Sequence, residues 1–196
     1  MSWFPALPEW DALHPVVVHF PVALLFAAAL LVFAGLFARA SWRAWAGAAL
    51  LMMVAGTVAA WFAAASGHAA GQLVDKAGAV GAAVTRHEAL GVLTRNVFTA
   101  LTLAFALLVA LPRALPKPPA EPLRITVFAA FLVVYLGATT LVARTANEGV
   151  RLVHATGVRA LMASAVEPSA PAEAPSEAPP PAAEGAAGPA GGSAAH

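Results

Sequence analysis

Apolar positions along this chain come in four long blocks, with neither the alternation of a strand nor the one-sided stripe of a soluble helix. They cover about residues 16–38, 44–65, 89–111 and 123–143 and are rich in Ala, Leu, Val and Phe. Roughly 20 helical residues, rising about 1.5 Å each, cross a bilayer, so each block is long enough to span. A lipid-facing backbone must satisfy its own polar groups, which selects helices. The expected fold is all-α, a four-helix transmembrane bundle over residues 14–160, preceded by an interfacial segment at 1–13. Arg39, Ser66-Gly67, Pro112 and Arg144 mark the ends of the four blocks. Trp42 and Trp45 mark one membrane interface, with Trp3, Phe4 and Trp10 at the other. The connections on the Trp42 side, ARASWRA and the proline-rich LPRALPKPPAEPLR, are short. The one between the second and third spans is longer, from Gly67 to about Glu88, with room for a short surface helix.

Composition agrees: 60% of residues are hydrophobic and 11% charged, where soluble domains carry about a quarter charged. The expected partner is therefore a lipid bilayer. A net charge of +1 gives no reason to expect nucleic acid. The absence of cysteine removes thiolate catalysis, iron–sulfur clusters and c-type haem attachment. The opening MSWFPALPEWDALHP lacks the positive n-region of a cleavable signal, so the first block is expected to stay as a helix. With Arg39 and Arg43 after the first block and no Lys or Arg before it, both termini are expected outside. Residues 167–196, rich in Pro, Ala and Gly, are expected to be a disordered tail.

A faint internal repeat is also visible. GHAAGQLVDKAGAV after the second block aligns with ANEGVRLVHATGV after the fourth on Leu73-Val74 and Leu152-Val153, with Gly78 on Gly157. It suggests a 2+2 arrangement of helical hairpins.

Threading four spans puts five of the six histidines at one membrane face: His14, His19, His68, His87 and His154. Asp11, Asp75, Glu88, Arg86, Arg95, Arg144, Glu148 and Arg151 crowd the same end. Pro15 suits a first helical turn, whereas Pro21 frees the carbonyl of Val17 and invites a bend. In a regular helix His14 and His19 would point about 140° apart, and the deeper His19 is the better candidate for an inward role. Arg95 lies roughly 12 Å beyond His87 along its helix. An arginine that deep either serves a site or snorkels towards Glu88.

At these residues the chain resembles a known family. His14-Pro15, then Val18-His19-Phe20-Pro21-Val22-Ala23-Leu24, is similar to the "HP-x-x-V-H-F-P-I-A-L" opening of a bacterial membrane-protein family catalogued as domain of unknown function 2231. Arg86-His87-Glu88-Ala89-Leu90-Gly91 resembles its later His-Glu-x-x-Gly segment. Residues 147–158 resemble its closing "G-G-x-L-V-Y-x-H-G-V-G-V", with Glu148 and Val150 interrupting the glycines and His154 in place of the tyrosine. The resemblance implies a compact four-span module, in a bacterial inner membrane, and carries no established activity.

Three functional readings follow. The first is a b-type haem electron carrier with a membrane or extracytoplasmic redox partner. His19 and His87 would be axial ligands, His14 or His68 substitutes, and helical arginines such as Arg95 and Arg144 would face the propionates. The second is a zinc or copper site from His14, His19, His68 and His87 with Asp11, Asp75 or Glu88. The third is a structural cap without cofactor on a membrane scaffold. No hydrolase, kinase or dehydrogenase motif is present. Tyr135, Thr139 and Thr140, deep in the fourth block, are expected to bond backbone or pack helices.

Overall fold

The computed structural model describes residues 10–74, 76–117 and 119–155. The expected anchors Trp3 and Phe4, the repeat positions Asp75 and Gly157, and the tail at 167–196 lie outside the described residues, as does the side chain of Asp11. A 3-10 turn, Asp11–Leu13, leads into α1 (His14–Val17) and α2 (His19–Phe37); α3 is Trp42–Gln72, α4 is Gly78–Ala114 and α5 is Glu121–His154. Four stretches are long and apolar enough to cross a membrane: His14–Phe37, Trp42–Gln72, Gly78–Pro112 and Glu121–His154.

Neighbouring helices in sequence are neighbours in space, and α5 closes back onto α2. The result is an up-and-down four-helix ring. Its interior runs in layers. Trp42 packs on Phe128, and Phe105 on Phe128 and Phe131. Phe98 and Tyr135 then meet edge to face, 5.3 Å between ring centroids, beside the fully buried Leu25 and Met53. Between helices lipid supplies no hydrophobic drive, so close packing and hydrogen bonds hold the spans. Thr57 meets Thr102 at 2.8 Å, Thr94 meets Thr145 at 2.9 Å, and the Tyr135 hydroxyl donates to the Leu25 carbonyl at 3.0 Å. Thr139 and Thr140 donate to carbonyls of their own helix, as expected. At Gly56 an added Cβ would lie 2.9 Å from Leu25, so this glycine sets how closely α2 and α3 approach.

Helix ends depart from the expectation. Instead of a long connection from Gly67 to Glu88, α3 runs on to Gln72 and α4 begins at Gly78, leaving five residues between them, 73–77. These extensions are too polar to read as membrane spans, yet Ala69, Ala70, Ala79, Ala82 and Ala83 favour helix wherever water replaces lipid. The turn needs Gly78, at φ +56°, and Gly81, where a Cβ would strike the backbone of Lys76. The third span ends at Pro112 as expected, but its helix α4 continues to Ala114, because Leu115 precedes Pro116 and takes an extended backbone (ψ 141°). The fourth continues past residue 143 to His154, so Asn147, Glu148 and Arg151 are helical rather than loop residues. At Pro21, where a bend was expected, the helix is interrupted only at Val18, which keeps helical dihedrals (φ −61°, ψ −23°). There the Val18 N–H still donates to the His14 carbonyl at 3.2 Å, while Pro21 has no N–H to offer Val17.

Candidate functional site

Buried positions of α2 recur at Pro21, Leu25, Ala28, Val32 and Gly35, a heptad-like stripe that, carried back, passes through His14 and misses His19. On α4 the stripe includes Gly81, Val84, Thr94, Phe98, Thr102 and Phe105, and His87 lies on it. The first and third spans are diagonal in the ring, so inward side chains from both meet on the bundle axis. There the His14 and His87 rings come together, with centroids 6.2 Å apart and planes nearly perpendicular, at 81°.

Each ring sits in a seat made by glycine. Nδ1 of His14 lies 2.9 Å from the Ala63 carbonyl and 3.3 Å from Ser66 Oγ, and Ser66 itself donates to the Ala63 carbonyl at 3.2 Å. A carbonyl only accepts, so Nδ1 carries the proton and a neutral ring keeps its lone pair on Nε2. A Cβ on Gly67 would come within 2.6 Å of the His14 ring, and one on Gly149 within 3.1 Å of the His87 ring. The Thr145 carbonyl of α5 lies beside His87, whose Nδ1 is buried without a hydrogen bond.

Carboxylates flank the pair. Glu88 reaches into the space left by Gly71; its Oε1 is buried, makes no hydrogen bond, and lies 3.9 Å from His68 Nδ1. Glu148 sits between Arg86, at 3.9 Å, and Arg151, at 3.7 Å.

Of the proposed site residues, the structure therefore brings His14 and His87 together, with His68 at the edge through Glu88. His19 does not take the inward role expected of it: it is exposed, since five residues beyond His14 it falls off the buried stripe. His154 is exposed as well. Among the described residues no three His, Asp or Glu side chains converge as ligands for one ion. Arg95 does not pair with Glu88. Its guanidinium lies over the Trp61 ring, 3.9 Å from the centroid, and its Nε donates to Asn96 Oδ1 at 3.1 Å. Arg144 is exposed on α5. Sequence reasoning missed Ser66, the Ala63 carbonyl and the seats at Gly67, Gly71 and Gly149. Only the small-x-x-x-small spacing of Gly67 and Gly71 signalled that α3 continues and packs closely there.

No curated protein and no solved structure matches the chain. A family described as "Predicted membrane protein (DUF2231)" matches residues 10–162, most of the chain and every helix described above. With its four apolar helices and this match, the chain is a multi-pass membrane protein that belongs to the DUF2231 family.

Proposed function

We propose that this protein is a membrane electron-transfer module that holds one b-type haem at the end of its bundle, with His14 and His87 as axial ligands. The carrying observation is the spacing of those two rings. Two imidazoles ligating one ion through bonds of about 2 Å hold their centroids roughly 6 Å apart; here the separation is 6.2 Å. A haem needs only two protein ligands, since the macrocycle supplies four. That suits a place where two imidazoles meet and, among the described residues, no third ligand joins them.

The local residues fit such a group. A ligating histidine usually donates its other N–H to a carbonyl or carboxylate, as His14 does to Ala63. The buried Nδ1 of His87 has the Thr145 carbonyl beside it as the corresponding acceptor. The glycines at 67 and 149 keep side chains away from both rings. When bound, the iron would exchange one electron at a time. Arg86 and Arg151, which share the Glu148 carboxylate, stand at the same end for the propionates, and Arg144 is a further exposed cation, on α5. The charge pattern around the first span favours this end facing outward from a bacterial inner membrane, towards an extracytoplasmic redox partner.

The test is the visible spectrum of protein purified from haem-replete cells, before and after dithionite. A Soret band with reduced α and β bands is expected, lost in His14→Ala and in His87→Ala but kept in His19→Ala. Colourless protein would refute the haem. A bare zinc or copper ion is the alternative, and elemental analysis of the same sample decides it. If neither is found, the imidazoles are a structural clasp between the first and third spans.

A further inference from the structure

The Arg95–Trp61 pair belongs to no part of that site. Counting back from Pro112, the end of the third span, a hydrocarbon layer of about 30 Å closes near Val92. The Arg95 Cα therefore lies about 5 Å inside it. Helical side chains lean towards the helix N-terminus, so the Arg95 side chain is directed back to the headgroups on the outer seam of α3 and α4.

The surroundings hold it in place. Trp61, 48% exposed on that seam, donates from its indole N–H to Thr99 Oγ1 at 3.1 Å, and Thr99 donates to the Arg95 carbonyl at 2.8 Å. The guanidinium stacks on the locked indole and is turned by its Nε bond to Asn96. That leaves both Nη groups, the edge that recognises a phosphate in bidentate fashion, without a protein acceptor among the described residues. Among the described residues no carboxylate pairs with Arg95, so it contributes a positive charge at headgroup depth. At the same end of α3, Trp10 packs on Phe62, ring centroids 6.1 Å apart, and both are exposed aromatics of the kind that sit among headgroups.

We propose that Arg95, held by Trp61 and Asn96, binds the phosphate of one anionic phospholipid whose acyl chains lie along the α3/α4 seam. The occupant is a lipid rather than a free anion because Arg95 lies at headgroup depth on a membrane-spanning helix, three residues from the exposed, apolar Val92. The inference is independent of what the imidazoles bind.

The test is native mass spectrometry of the full detergent-purified chain titrated with short-chain phosphatidylglycerol, with phosphatidylcholine and inorganic phosphate as separate arms. One phosphatidylglycerol should be retained in preference to phosphatidylcholine. Arg95→Gln should weaken retention about tenfold, Arg95→Lys less, and Lys76→Gln, exposed in the 73–77 connection, not at all. Equal retention by Arg95→Gln and the parent overturns the proposal. So does displacement of the lipid by millimolar phosphate, which would make the site one for a free anion. Should Arg95→Gln fail to fold, Trp61→Phe decides: weakened retention supports the site, and unchanged retention overturns it.

Discussion

Gly67→Ala puts the seat of His14 to a direct test, because two opposing effects meet at one atom. Within a helix Ala is favoured over Gly by about 0.5–1 kcal/mol. At Gly47, in the same helix, an added Cβ meets nothing within 4 Å, so Gly47→Ala should stabilise by about that amount. At Gly67 the same methyl would stand 2.6 Å from His14 Cε1 and 2.9 Å from Nδ1. The ring must move, but it is bonded to Ala63 on one side and packed on His87 on the other. Overpacking costs about 1–3 kcal/mol and a lost hydrogen bond about 0.5–1.5 kcal/mol. Less the Ala preference, the expected net is a destabilisation of about 0.5–4 kcal/mol, opposite in sign to Gly47→Ala. The assay is SDS-induced unfolding of the detergent-solubilised protein followed by circular dichroism. In a His14→Ala background the obstacle is gone, so Gly67→Ala should turn stabilising, with a coupling of about 1.5–4.5 kcal/mol in the double-mutant cycle. If Gly67→Ala stabilises the parent as much as Gly47→Ala does, the imidazole is not seated against α3 and the pairing with His87 fails with it.

Three further outcomes are expected in the same unfolding assay. Thr57→Val or Thr102→Val alone should cost about 0.5–1.5 kcal/mol, while the double variant should cost less than the two summed, since it leaves no hydroxyl unpaired. Tyr135→Phe should cost about 0.5–1.5 kcal/mol by removing the hydroxyl that ties α5 to the Leu25 carbonyl; an unchanged midpoint would mean that this bond adds nothing. Arg39→Ala, which breaks an exposed 3.1 Å pair with Glu121, should shift stability by less than about 1 kcal/mol, and raising the salt concentration should erase even that.

The four spans were legible because hydrocarbon demands long apolar blocks, and no other structure writes such blocks into a sequence. The ends of the helices were not. Beyond the lipid a helix needs no apolar residues, so residues 66–72 and 78–88 carried a loop's composition while folding as α3 and α4. For the same reason the face of each span was hidden. In α2 lipid-facing and inward positions are both apolar, so nothing in the sequence distinguished the stripe through His14 from the one through His19. Depth suggested His19, whereas phase selects His14. His87 was read as a candidate and lies in the pair. Its seat at Gly149 belongs to α5, and a glycine's purpose becomes visible only when the ring it admits is known.

The closure of α5 onto α2 also orders the making of the protein. Chains are synthesised from the N-terminus and membrane helices associate after they insert. His14 and its seat on α3 can meet as soon as two spans are in the bilayer, and His87 arrives with the third. Gly149, which receives the His87 ring, and Tyr135, whose hydroxyl binds a carbonyl 110 residues earlier, come only with the fourth. The last helix to enter therefore completes both the ring and the imidazole pair, and a chain stalled after three spans holds the two histidines with one of their seats missing.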